Sequence, residues 1–227
     1  VDGNSISFLR FTGETDFTVR MSAADVPYAP LLNVGDRVRV WYYDGHVSEF
    51  WIEACALELL PVSTPAEPDD APEMIAFLKD TAGETPFLLR YPDEVNFTEE
   101  GERSLLQSRS DDPSVVMLSA WVGGRLAGNC TLTPKGARRK ICHRADVSIA
   151  LRKAYWGLGL GKALLTRVLT LAKELGYEQV ELEVISGNDR ALGLYQRMGF
   201  VQTGRMPNAF QYDDGTYRDE IQMVRRV

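Results

Sequence analysis

Tyr155 to Lys162 reads Y-W-G-L-G-L-G-K, with glycine at every second position between an extended alternating run and a strongly periodic helical one. A strand that turns into a helix through glycines presents free backbone N–H groups at the positive end of the helix dipole, an anion site by construction. Glycine lets that backbone approach the anion closely and take angles closed to other residues. A G-x-x-x-x-G-K-S/T phosphate loop does not fit, because Lys162 is followed by Ala163 and the glycines are wrongly spaced. A dinucleotide turn needs G-x-G-x-x-G at the start of a βαβ unit, whereas here the spacing is G-x-G-x-G and hairpins lead into it. A glycine-rich connection with no ligand is the plain alternative.

Around this loop the elements alternate. A helix is expected from about Pro72 to Thr81, with Met74, Ile75, Phe77 and Leu78 on one face and Asp69 and Asp70 at its positive end. A second runs from about Thr98 to Arg109. V-V-M-L-S-A-W-V and R-L-A-G-N-C-T-L-T form a hairpin turning at Gly123-Gly124, and I-C-H-R-A-D-V-S-I-A-L is a further strand. After the glycines, Leu164, Leu165, Val168, Leu171, Ala172 and Leu175 mark the clearest helix, stopped by Gly176. The strand V-E-L-E-V-I, a short helix from about Asn188 to Met198 ended by Gly199, and two strands flanking Asp213-Asp214-Gly215 complete an α+β pattern.

Residues 1–60 read differently. S-I-S-F-L-R-F, D-F-T-V-R-M and R-V-R-V-W-Y-Y are rich in β-branched and aromatic residues, separated by T-G-E and N-V-G-D turn signals, and Asp44-Gly45 is a hairpin signal. The expectation is a small all-β domain at 1–60, resembling OB-like barrels, and a second domain at 61–227. Four prolines between Pro61 and Pro72 mark either a linker or a strand-to-helix loop, in which case the first strand of the second domain begins near Ala56.

With 44% hydrophobic and 25% charged residues, the 227-residue chain can bury a core. The net charge of −7 disfavours a nucleic-acid partner and suits a cationic one; residues 1–60 hold 4 basic against 9 acidic residues. No apolar run approaches a membrane span or a secretory signal, so a cytoplasmic protein is expected, although the chain opens on Val1 rather than Met. Cys55, Cys130 and Cys142 have no metal-binding or disulfide spacing and read as buried thiols, and His46 and His143 are too few for a histidine-based metal site or triad.

Residues 156–161, W-G-L-G-L-G, resemble the acetyl-CoA signature Q/R-x-x-G-x-G/A of the GNAT N-acetyltransferases, with Trp156 where Gln or Arg is often found. Residues 182–200, L-E-V-I-S-G-N-D-R-A-L-G-L-Y-Q-R-M-G-F, resemble the second signature of that family, L-x-V-x-x-x-N-x-x-A-x-x-L-Y-x-x-x-G-F. The resemblance covers about Ala56 to Val227. It implies the GNAT fold, a mixed, mostly antiparallel sheet flanked by helices, and transfer of the acetyl group of acetyl-CoA to an amine.

By that resemblance the N–H groups of Leu158, Gly159, Leu160, Gly161, Lys162 and Ala163 hold the pyrophosphate. Ile149 and Leu151 lie on a strand that splays from its neighbour beside the pantetheine arm, and Asn188 helps hold CoA or simply caps its helix. Acetyl transfer needs a neutral amine, a stabilised oxyanion and a proton for the leaving thiolate. Tyr195 matches the family tyrosine that faces the sulfur as general acid; its plain alternative is a core aromatic. Glu183 matches an acidic position used by the ribosomal-protein acetyltransferases, on the strand face of Glu181 and opposite Val180, Leu182 and Val184. Asp146 occupies another position where relatives carry the base. An oxyanion donor is expected near Ile149.

The acceptor cleft is expected between the first two helices and the last hairpin, where Glu84, Asp93, Glu94 and Asp219 could attract a cationic amine. Arg138 to Lys140 is a solvated turn or a contact for the CoA phosphates. A small amine and a protein N-terminus are both candidate acceptors, direct transfer is expected because no cysteine falls at a motif position, no metal is implied, and a homodimer is compatible with the pattern. A noncatalytic acyl-CoA sensor with the acidic β segment as an interaction module is the rival reading.

Overall fold

The computed structural model describes residues 6–11, 17–22, 37–47, 51–60, 62–122 and 124–227, with side chains from residue 64 onward. The chain divides into two compact units, residues 1–62 with 122–124 and residues 63–121 with 125–227.

In the first unit, β1 (Ile6–Phe11), β2 (Phe17–Ser22), β3 (Arg37–Val47) and β4 (Trp51–Leu60) form a sheet of order β1-β2-β4-β3. The β2–β4 contact is parallel and the other two are antiparallel. Asp44-Gly45 is not a hairpin tip: it lies inside β3, between the pairs Tyr42↔Ala54 and Val47↔Ile52, where β3 carries extra residues. A bulge draws on the same permissive residues as a turn, and the dipeptide alone does not separate the two. The T-G-E and N-V-G-D signals fall outside the described residues. Ala56–Leu60 pairs with β3, so these residues belong to this sheet.

The second unit runs β5 (Val62–Pro65), α1 (Ala71–Glu84), α2 (Glu99–Asp111), β6 (Val116–Val122), β7 (Arg125–Pro134), β8 (Arg144–Leu151), α3 (Leu160–Glu174), β9 (Gln179–Ile185), α4 (Asp189–Arg197), β10 (Val201–Gln211) and β11 (Tyr217–Arg226). Its seven strands lie in the order β10-β11-β9-β8-β7-β6-β5. This is the α+β arrangement expected of the second domain.

Local chemistry explains the helices. Thr98 caps α2 by accepting the N–H of Gly101 at 3.1 Å. α1 buries Met74 and Phe77 against Ala66, Leu106 and Leu126, a cluster in which truncating Phe77 to Ala costs about 3–5 kcal/mol. α3 buries Leu160, Gly161, Leu164, Leu165, Val168, Leu169 and Ala172. Leu175, expected on that face, is exposed at the C-cap, where Gly176 takes φ +83° and ends the helix.

One pairing positions everything that follows. β8 pairs with β7 along its whole length, from Ala145↔Pro134 to Leu151↔Gly128. Its parallel contact with β9 covers only Arg144↔Gln179, Ala145↔Val180 and Asp146↔Glu181. Parallel neighbours require a long crossover, and α3 supplies it. Beyond Asp146 and Glu181 the two strands part, while β9 stays paired with β11 out to Ile185↔Glu220. The sheet therefore opens between its only described parallel strands, on the side leading to the glycine loop.

Candidate active site

The gap forms a cleft of about 1270 Å³, lined by residues of the parted strands, the glycine loop, α4 and the α1–α2 loop. Among the nominated residues Asp146, Ile149, Leu151, Gly159, Gly161, Lys162, Glu183, Asn188 and Tyr195 line it. Leu158, Leu160 and Ala163 do not; the Leu160 side chain is buried in the core.

Two of the glycines are required for different reasons. Gly159 is the N-cap of α3 at φ +83°, a left-handed conformation costly to residues with a Cβ. Gly161 lies within the first turn, where a Cβ would stand 3.1 Å from Leu151 Cδ1 and 3.2 Å from Leu194 Cδ2. Its absence of a side chain lets α3 close against β8 and α4. The Ala163 N–H, expected to face an anion, instead donates to Gly159 O at 3.0 Å. It is the first amide with an intrahelical acceptor, which leaves Leu160, Gly161 and Lys162 as the orphan donors of the first turn.

Trp156 explains the departure at the head of the motif. Its indole N–H donates to Leu151 O at 2.9 Å, pinning the loop to the end of β8. The guanidinium of Arg190, on α4, lies 5.2 Å from the centre of the Trp156 ring. Arg190 and Arg197 join Lys162 in the cleft lining. Neither arginine was legible as a site residue, because only the packing of α4 against the loop brings them there.

Asn188 is the N-cap of α4: its side-chain oxygen accepts the Ala191 N–H at 3.2 Å, so the capping role is real and coexists with a place in the cleft. Seven residues on, Tyr195 is 8% exposed and its ring meets Phe200 edge-on at 6.0 Å. Burial, with the Cys130 thiol close by, holds its phenol above the ordinary range, so it stays protonated at neutral pH. Cys130 is itself fully buried and its thiol is pushed up by desolvation, which suits a packing role. Cys142 departs from the expectation of buried thiols: it is exposed. The Cys55 side chain falls outside the described residues.

The carboxylates separate by partner. Glu181 is gripped by Arg144, with Nη2 to Oε2 at 2.7 Å, and its carboxyl is held well below the usual range, at about 2, chiefly by that hydrogen bond. Asp146 is paired with Lys135 Nζ at 2.7 Å. Glu183 is in no ion pair among the described residues, and partial burial followed by the neighbouring Glu220 carboxylate raises its carboxyl above the ordinary range. Val180, Leu182 and Val184 are buried on the other face of β9, as the alternation predicts.

Of the nominated surface acids Glu84 lines the cleft, and Asp93, Glu94 and Asp219 do not. Glu84 accepts the Lys153 N–H at 2.6 Å. Glu94 accepts the Tyr91 N–H at 2.8 Å, with Asp93 in the same short turn, and Asp219 pairs with Arg205 at 2.6 Å while accepting the Asn208 N–H. Arg138 to Lys140 lie in the loop before β8, whereas the glycine loop follows β8, so about 25 Å of strand separates them from it. None of the three lines the cleft. Facing the strands, Phe87, Leu88, Leu89, Arg90 and Phe210 form one wall of the cleft. The segments that carry this wall are tied together: Tyr212 Oη donates to Pro86 O at 2.7 Å and the Asp213 N–H donates to Tyr91 Oη at 3.1 Å.

The profile of the acetyltransferase (GNAT) family matches residues 76–200, more than half of the chain, and the chain belongs to that family. A solved acetyltransferase of the GNAT family from Streptococcus pneumoniae is 30% identical, with a TM-score of 0.70 over 74% of this chain and 100% of that one. A phosphinothricin acetyltransferase from Sinorhizobium meliloti, solved with AcCoA, shares the fold at 18% identity and a TM-score of 0.65, over 74% of this chain and 88% of that one. Among curated proteins, the L-amino acid N-acyltransferase MnaT of Escherichia coli is 34% identical over 29% of this chain and 38% of its own length. The N-alpha-acetyltransferase MAK3 of Arabidopsis thaliana is 41% identical over 31% of this chain and 37% of its own length. The chain thus spans well under half of these curated relatives. Among the described residues no helix is long and apolar enough to cross a membrane, and no cluster of three or more metal-ligating side chains occurs.

Proposed function

We propose that this protein transfers the acetyl group of acetyl-CoA directly to a primary amine, with Glu183 as general base and Tyr195 as general acid. The observation that carries the reading is the parting of β8 and β9 beyond Asp146 and Glu181, which opens one cleft lined by a helix start with unpaired N–H groups, a protonated phenol and a carboxylate that is in no ion pair among the described residues. The residues fit the cosubstrate. Loop and first-turn amides from Leu158 to Lys162 bind a pyrophosphate, with Lys162 and Arg190 adding positive charge. The open edge of β8 beside Ile149 offers backbone groups to an extended amide-bearing arm and an N–H to a developing oxyanion.

An ammonium has no lone pair, so the acceptor must lose a proton before it attacks. Glu183, poised above the usual carboxylate range, takes that proton directly or through water; Asp146, engaged by Lys135, is the less available base. Tyr195 delivers a proton to the departing sulfur, and a buried phenol remains a donor throughout the neutral range. The acceptor is a cationic amine, either a small molecule or a protein N-terminus, entering between the parted strands and the wall at Phe87 to Arg90.

Release of CoA thiol from acetyl-CoA across a panel of amines and N-terminal peptides tests the proposal. Turnover with at least one class, abolished or strongly reduced by Glu183→Gln and Tyr195→Phe, is expected. Tight CoA binding with no turnover for any amine would overturn it in favour of an acyl-CoA sensor.

A further inference from the structure

Glu183 stands in a wall between two cavities. The main cleft is on one side; on the other is a smaller pocket of about 290 Å³ lined by Lys135, Arg144, Glu181, Leu182, Glu183, Thr203, Gln222, Met223 and Val224. Only Leu182 and Glu183 line both. Glu220 lines the main cleft alone, and Lys135 the smaller pocket alone.

Strand register explains the arrangement. Gln222 on β11 is directly opposite Glu183, and Glu220 is the diagonal neighbour on the same face, roughly 7–8 Å away and within reach of two long side chains. The Gln222 amide donates to Glu220 Oε1 at 2.9 Å and fixes that carboxylate. Among the described residues Glu220 has no cationic partner. Lys135 is held at the other side by Asp146 at 2.7 Å and by Glu181 at 3.6 Å.

Asp146 and Glu181 also act on Glu183, in the same sense as Glu220, each offset by a cationic partner of its own. On β9, Glu181 is neutralised by Arg144 of β8; on β8, Asp146 is neutralised by Lys135; on β10 and β11, Arg205 and Asp219 pair with each other. Glu220 is left as a carboxylate beside Glu183 without a cationic partner among the described residues, and Lys135, though shared with Asp146 and Glu181, lines the smaller pocket with it.

Building on the assignment of Glu183 as base, we propose that Glu220 and Lys135 are opposed positioning residues, Glu220 favouring uptake of a proton by Glu183 and Lys135 favouring its release. Neither touches the reacting atoms. A like charge disfavours the ionised carboxylate and an opposite charge favours it, so the two effects differ in sign. Glu220 keeps Glu183 basic enough to accept a proton from an ammonium; Lys135 keeps it ionised before the acceptor arrives.

The test requires no acceptor. In the full-length protein with ¹³C-labelled glutamate, the Glu183 carboxyl resonance is identified by its loss in Glu183→Gln and titrated by NMR. Glu220→Gln is expected to lower the Glu183 midpoint, Lys135→Met to raise it, and Lys135→Arg to leave it in place. A midpoint unmoved by Glu220→Gln, or moved in the same direction by Glu220→Gln and Lys135→Met, overturns the proposal. If Lys135→Met fails to fold, Lys135→Gln takes its place, and the Glu220→Gln titration still decides. Acetyl transfer by Glu183→Gln is a separate measurement: retained activity removes Glu183 as base without altering the titration result, and the converse also holds.

Discussion

Asp146 and Glu181 face each other as the last pair between β8 and β9, two like charges directly opposite at the point where the strands part. Unscreened, such a pair destabilises a sheet. Lys135 bridges both carboxylates, at 2.7 and 3.6 Å, and Arg144 holds Glu181 by a bidentate contact.

This arrangement predicts acid sensitivity with a definite sign. Glu181 has a folded value of about 2 against an ordinary 4.5, so its contribution is complete above about pH 4.5 and is lost as pH falls toward 2. Urea midpoints measured at successively lower pH should fall through that window, and Glu181→Gln should flatten the decline. An equally steep acid limb in the variant would assign the sensitivity to other carboxylates.

Tyr195→Phe should lower kcat by roughly 10²-fold or more, the range for loss of a general acid. The ring still packs against Phe200, so CoA affinity and the thermal midpoint should change little. Unchanged kcat in this variant contradicts the role given to the hydroxyl.

Arg190→Gln should weaken CoA binding by roughly tenfold, the loss of one charge-assisted contact. Isothermal titration with CoA and with pantetheine, which lacks the phosphates, separates the cause: the first should weaken and the second should not. Equal weakening of both would mean that Arg190 acts through Trp156 and the loop conformation alone.

Arg152→Met should destabilise the fold by about 3 kcal/mol, at the low end for removing one member of a buried pair because its partners keep contact with solvent. Arg152 is 5% exposed at its side chain, donates to Leu126 O at 2.8 Å and to Glu73 at 2.9 Å, and also pairs with Asp80. Denaturant unfolding gives the value directly. A change under about 1 kcal/mol would show the cluster to be dispensable.

Ser119→Ala should leave stability unchanged or raise it. The Ser119 hydroxyl is fully buried and has no hydrogen-bond partner among the described residues, so removing it relieves a desolvated polar group. A loss of about 1 kcal/mol or more would reveal a partner for it.

The sequence carried the elements whose information is local. α3 and α4 were legible because each joins an apolar period to a glycine stop, at Gly176 and Gly199, and the strands from β6 to β11 were marked by turns, whereas β5 lies in the proline-rich stretch read as a linker or loop. Asp44-Gly45 misled because a bulge and a hairpin tip ask the same freedom of the backbone. Of the candidate site, the loop, Asn188, Glu183 and Tyr195 sit on recognisable motifs. Glu220, Lys135 and Arg190 do not: strand register and helix packing bring them near the cleft from positions with no local signal. Of the nominated surface acids Glu84 lines the cleft, whereas Asp93, Glu94 and Asp219 do not, and the Arg205 that engages Asp219 is a partner set by strand pairing.

The two hydrogen bonds from Tyr212 and to Tyr91 fasten segments 126 and 122 residues apart in the chain. The α1–α2 loop and the β10–β11 turn are thereby buckled into one belt beside the cleft, at the end where the proposed reading admits the acceptor. If the proposed reading holds, an acceptor presenting a narrow amine tip is expected to enter with the buckle closed and a bulkier one to require its opening. Selection at this rim then depends on stiffness as well as chemical affinity, and loosening the belt would widen the range of acceptors admitted without altering the groups that react with them.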